Sequence, residues 1–147
     1  MKTITIIRIN LLFAGLLATV IGTLILVAPV IFYEGYDIDL AGKVDLLNET
    51  RASGGGLLVY GLLITFGSFL KPLMFSAAIA STCLYLSYGF SRLISITLDG
   101  VPTTGLVQAM ILEIIVGLAC ALCTLTYYRI SKQQHRRPVY ADQQSPR

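Results

Sequence analysis

Residues 81–99 read STCLYLSYGFSRLISITLD. At helical spacing Ser81, Tyr85, Tyr88, Arg92, Ser95 and Asp99 fall on one face, because steps of four and three residues return to the same side of an α-helix. Nearly everything else in residues 73–98 is apolar or small. A soluble surface helix balances an apolar stripe with a broad charged face. Here a single arginine sits inside an otherwise apolar run. The stretch therefore predicts a membrane helix whose polar stripe faces protein, and the rest of the chain is read as what packs around it.

Composition supports this. Of 147 residues, 55% are hydrophobic and only 13% charged, against roughly a quarter charged in soluble domains. The charges also cluster. None lies between Arg8 and Glu34, between Arg51 and Lys71, or between Lys71 and Arg92, and Glu113 stands alone between Gly100 and Tyr128. Crossing a bilayer core takes about 20 apolar helical residues. The gaps predict four spans, at about 9–32, 54–70, 73–98 and 105–128, in one all-α membrane bundle. Lys2 and Arg8 before an apolar run resemble a secretory leader, but the run is too long for a signal core and no A-x-A site ends it. It is read as a retained span.

Lys2, Arg8, Lys71, Arg129, Lys132, Arg136, Arg137 and Arg147 fall at one end of the four spans. Glu34, Asp37, Asp39, Asp45, Glu49 and Asp99 fall at the other, and of the basic residues only Lys43, Arg51 and Arg92 lie away from the basic end. The positive-inside rule then predicts both termini in the cytoplasm of a cell inner membrane. The tail, residues 129–147, is polar and basic and is expected to be mobile, with its cations near lipid head groups.

Each span has a face of small residues. Span one has Ala14, Ala18 and Gly22 below Asn10. Span two has Gly54, Gly61, Thr65 and Ser68 below Arg51. Span four has Ala109, Gly117, Cys120 and Thr124 around Glu113. Small residues four apart let helix backbones approach closely in lipid. The run Gly54-Gly55-Gly56 either packs this way or leaves bare backbone for a guest. Thr50 is expected to cap span two. The short links at 68–72 and 99–104 make spans two and three, and spans three and four, antiparallel neighbours.

The two charges within the spans carry the candidate site. Arg92 lies about 9 Å from its end of span three and Glu113 about 13 Å from the same end of span four, at 1.5 Å per residue. An unpaired charge at such depth costs at least ~2.5–3.5 kcal/mol, so the two are expected to face each other. Arg51 and Asp99 are expected to close the cluster. Tyr85 and Tyr88 would lie below, their phenols able to donate to Glu113. The cluster is either a buried pair fixing helix register or a pocket for a lipid, a quinone or a small anion.

Other chemistries find no support. The glycine run lacks the Gly-Lys-Ser/Thr of a phosphate loop. Cys120-Ala121-Leu122-Cys123 lies within an apolar span rather than at an exposed helix start, so Cys83, Cys120 and Cys123 are read as small apolar filler. His135 is the single histidine, so neither a metal site nor a Ser-His-Asp set is expected. No cofactor and no nucleic-acid partner is expected.

RASGGGLLVYGLL (51–63), GFSRLISITLDGVP (89–102) and the glutamate of the following span resemble an uncharacterised bacterial membrane family, catalogued as domain of unknown function 4345 and distantly similar to the DoxX-like group. Arg51, Ala52, Gly55, Gly61, Arg92, Asp99, Gly100, Pro102 and Glu113 carry the resemblance. It implies a four-helix membrane fold and no established activity. The function expected is that of a small non-catalytic membrane protein. It is read either as an accessory subunit packed against other membrane proteins, or as a binder of a lipid, quinone or anion at Arg51, Tyr85, Tyr88, Arg92, Asp99 and Glu113.

Overall fold

The computed structural model describes residues 2–142, and side chains through residue 132. The helices are α1 (Lys2–Val27), α2 (Pro29–Glu34), α3 (Val44–Phe69), α4 (Met74–Asp99) and α5 (Thr104–Asp142), with one 3₁₀ turn at Lys71–Leu73. Four of these are long and apolar enough to cross a membrane. Among the described residues there is no strand.

Proline and glycine set the boundaries. Span one was expected to run to about residue 32, but α1 stops at Val27. Pro29 has no N–H and crowds the residue before it, and Ala28 leaves the helical region at φ −131°, ψ 57°. The chain resumes as the six-residue α2 and then turns through Asp37, at φ 60°, a left-handed conformation that aspartate tolerates better than most residues. Asp39 Oδ1 accepts the Ala41 N–H at 2.9 Å, and Leu40 is buried. Gly42, at φ 72°, turns the chain into α3.

α3 starts ten residues before the span expected at 54, and the acidic stretch Asp45–Glu49 forms its first turns. Thr50 does not cap it. Its hydroxyl donates to Leu46 O at 2.6 Å, inside the helix. At the far end Leu70 is extended ahead of Pro72, and the 3₁₀ turn reverses the chain. α4 closes on Gly100 at φ 96°. α5 outruns span four, expected to end at 128. It is 39 residues long, or about 58 Å at 1.5 Å per residue. Residues 129–142 of the basic tail thus continue the helix. The side chains of His135, Arg136 and Arg137, and all of residues 143–147, lie outside the described residues.

The bundle is two tight pairs packed against each other over two cores. Four glycines of α1 and α3 lie tight against the partner helix. A Cβ on Gly15 would collide with Thr65, one on Gly22 with Leu58, one on Gly61 with Thr19, and one on Gly54 with Ile25 and Leu26. The small-residue faces of spans one and two are therefore mutually occupied. In α4 and α5, a Cβ on Gly89 would meet Ile114 at 2.6 Å and one on Gly117 would meet Leu86 at 2.6 Å. The pairs meet near the Lys71–Leu73 turn, where Gly67 lies against Ala77 and Ile7, Leu11, Ile64, Met74, Ala77 and Ala78 form a core. A second core of Ala14, Ala18, Tyr85, Val116 and Cys120 fills the middle. The end carrying α2 is called here the loop end.

Candidate functional site

The polar stripe of α4 divides along its length. Ser81 and Tyr85 are buried in the middle of the bundle. The Tyr85 hydroxyl donates to Ala14 O at 2.6 Å, not to Glu113, and so ties α4 to α1. Deeper still, Thr82 and Thr124 hydroxyls meet at 3.1 Å, and Cys120 Sγ donates to Asn10 Oδ1 at 3.3 Å. These bonds link α1, α4 and α5. In lipid a polar side chain has few partners except those on neighbouring helices, and such bonds stabilise by about 0.6 kcal/mol each.

Toward the loop end the charges pair as expected. Arg92 Nε donates to Glu113 Oε2 at 2.9 Å, with 33% and 16% of the two side chains exposed. Close packing of α4 on α5 through Gly89 and Gly117 brings the two together. The Tyr88 phenol lies within electrostatic range of both charges. The other expected members do not join. Arg51 Nε donates to Leu26 O at 3.3 Å, across the α1–α3 pair. Asp99 accepts from Ser95 at 3.1 Å on its own helix and is exposed. Of the six candidates, Arg92 and Glu113 are in contact, Tyr88 is near, and Arg51, Tyr85 and Asp99 are engaged elsewhere.

The chain adds a feature that the sequence expectation missed. Phe32, Tyr33 and Tyr36 form an aromatic group with ring centroids 5.3, 5.5 and 6.5 Å apart. The Tyr36 ring lies over Gly105, where a Cβ would meet it at 2.8 Å, and Tyr33 is within electrostatic range of Arg92 and Tyr88. Partial burial pushes the Tyr33 phenol above its ordinary range, against the opposing pull of Arg92. It remains a protonated donor at neutral pH. The signal was present as Tyr33-Glu34-Gly35-Tyr36 one helical turn after Pro29, two tyrosines at a helical step of three.

A groove of about 440 Å³ separates the two helix pairs, within the roughly 300–1,000 Å³ of small-molecule sites. From α3 it is lined by Ser53, Gly56, Leu57 and Tyr60, one face at helical spacing. From α4 it is lined by Cys83, Leu84, Ser87 and Tyr88. Leu57 and Leu84 also pack on the middle core, so they close its floor. Ser53, Gly56, Tyr60, Cys83 and Ser87 are exposed, and the groove opens sideways out of the bundle. Of the triplet, packing explains Gly54 but neither Gly55, where a Cβ would meet only the Leu26 side chain at 4.0 Å, nor Gly56. Gly54 is wedged against Ile25 and Leu26, whereas a Cβ on Gly56 would meet nothing within 4 Å. Cys83 is exposed here, while Cys120 is buried as expected of filler. Among the described residues no cluster of three metal-ligating side chains occurs.

Fold and site together define a small four-helix membrane bundle with an ion pair near one end and a lateral groove beside it. The family model described as a domain of unknown function, DUF4345, matches residues 6–124, and the chain belongs to that family. No curated protein and no solved structure matches the chain.

Proposed function

We propose that the protein binds a lipid-like amphiphile of the bilayer in the groove between α3 and α4, without catalysing a reaction on it. The observation that carries this reading is the groove itself: laterally open, apolar at its floor, rimmed by the hydroxyls of Ser53, Ser87, Tyr60 and Tyr88, with bare backbone at Gly56. An acyl chain would lie along Leu57 and Leu84, and ester or similar oxygens would accept from the Tyr60 and Tyr88 phenols, since the Ser53 and Ser87 hydroxyls donate to Thr50 O and Leu84 O within their own helices. Quinones share that acceptor chemistry and would compete. A small anion is less well served, because Arg92 is already paired and Arg51 is bonded to Leu26. The small-residue faces that pointed to partner subunits are occupied by neighbouring helices of the same chain. They therefore give an accessory-subunit role less support than the sequence suggested.

We place the protein in a cytoplasmic membrane with both termini inside, on the strength of its lysine and arginine distribution. The groove, midway along α3 and α4, would then lie near the middle of the membrane, with Arg92 and Glu113 on its outer side. Native mass spectrometry of the full chain released from lipid nanodiscs tests the binding reading. Wild type is expected to retain one lipid-sized adduct per chain, and Gly56→Phe, which fills the groove, to lose it. An empty wild type, or equal retention by both, overturns the reading; stoichiometric partner proteins with no lipid favour the accessory role.

A further inference from the structure

We propose that Glu113 sets the headgroup charge that the groove accepts, by holding Arg92 back from its mouth. The inference rests on the lipid-binding reading above. Arg92 follows Tyr88 by one helical turn, and Tyr88 lines the groove. The root of the Arg92 side chain therefore stands just beyond the groove on its loop-end side. No lysine or arginine is part of the lining. On α3 the face carrying Ser53 continues toward the loop end through Thr50 and Glu49, at steps of three and four. On α4 the next polar positions are Ser91, Ser95 and Asp99, with Asp99 held by Ser95.

Apart from Arg92, the polar positions on these two faces are thus hydroxyls and carboxylates; Arg51 lies on the opposite side of α3, turned to α1, where its Nε donates to Leu26 O. The charge of Arg92 is met by Glu113 at 2.9 Å, so a headgroup with net negative charge finds no free counter-ion. A zwitterionic head, whose ammonium can turn toward Glu49 or Asp99, meets no such deficit. Arg92 is one-third exposed, and its long stem lets the guanidinium swing once its partner is gone. Glu113 is therefore a positioning residue. It acts on the ligand through Arg92 and does not touch the groove, being absent from its lining.

The test uses the full chain in nanodiscs of equal phosphatidylethanolamine and phosphatidylglycerol, with retained lipid identified by native mass spectrometry. Wild type is expected to favour phosphatidylethanolamine. Glu113→Gln should shift the retained ratio about tenfold toward phosphatidylglycerol, equivalent to about 1.4 kcal/mol. Glu113→Gln combined with Arg92→Gln should restore the wild-type preference, because the freed cation is the agent. Glu113→Asp keeps the charge but draws the carboxylate back by one methylene. It should give a smaller shift in the same direction, and it carries the test if Glu113→Gln does not fold. Unchanged ratios in both single variants, or a phosphatidylglycerol preference that survives loss of Arg92, overturn the proposal. A wild type that retains neither lipid removes the groove reading beneath it, a separate outcome.

Discussion

Arg92 and Glu113 show how far one residue's cost constrains a fold. An arginine in the apolar run of α4 demands a partner, and Glu113 was the one carboxylate at a matching depth in the next span. Their 2.9 Å contact was legible from position alone. A double-mutant cycle with Arg92→Leu and Glu113→Leu should give a coupling of about 1.5 kcal/mol, the low end for a charged hydrogen bond because Arg92 is partly exposed. Tyr85→Phe should cost no more than about 1 kcal/mol, since only its bond to Ala14 O is lost and that carbonyl remains in the α1 ladder. Both are read from unfolding in a detergent series. Tyr33 gives a pH signature. Burial raises its pKa above 10.0, so the folded state holds this proton to higher pH than the unfolded chain. Stability should fall as pH rises past about 10, and Tyr33→Phe should lessen that fall.

At the scale of elements, glycines that look alike in the sequence do different work. Gly61 lies against the backbone of Thr19, while Gly56 faces open space. Gly61→Ala should destabilise by about 1–3 kcal/mol through overpacking. Gly56→Ala should be neutral or stabilising by up to about 1 kcal/mol through helix propensity. Opposite signs in one unfolding assay would establish the division of roles. The same contrast explains what the sequence could not deliver. Periodicity located the α3 face of Gly54, Gly61 and Thr65, but it could not say that α1 would consume that face. Nor could it say that the neighbouring Ser53–Gly56–Tyr60 face would be left open. The loop-end aromatics were missed for a related reason: Pro29 was read as lying within a span, whereas it breaks the helix and creates α2. The start of α3 was missed because the charged residues 45–51 fall outside the apolar run that marks the span, although Asp45 in a first helical turn is favoured by the helix dipole.

For the whole molecule, two tight pairs, linked at the Lys71–Leu73 turn and packed over a middle core, leave a laterally open seam between α3 and α4. Four spans, and a face of small residues on three of them, followed from the sequence. The seam did not, because it is the difference between two packings rather than a property of either helix. Orientation belongs to this scale too. Cysteines placed singly at residue 41 and residue 131, with Cys83, Cys120 and Cys123 replaced by serine, should be labelled from the outside and the inside respectively by an impermeant maleimide. The central claim, that the seam holds a bilayer lipid, is tested most directly by photocrosslinking wild-type protein in nanodiscs with a phospholipid bearing a diazirine on its acyl chain. The account predicts adducts concentrated at residues 53–60 and 83–88. Labelling spread evenly over the lipid-facing surfaces of all four long helices would contradict it.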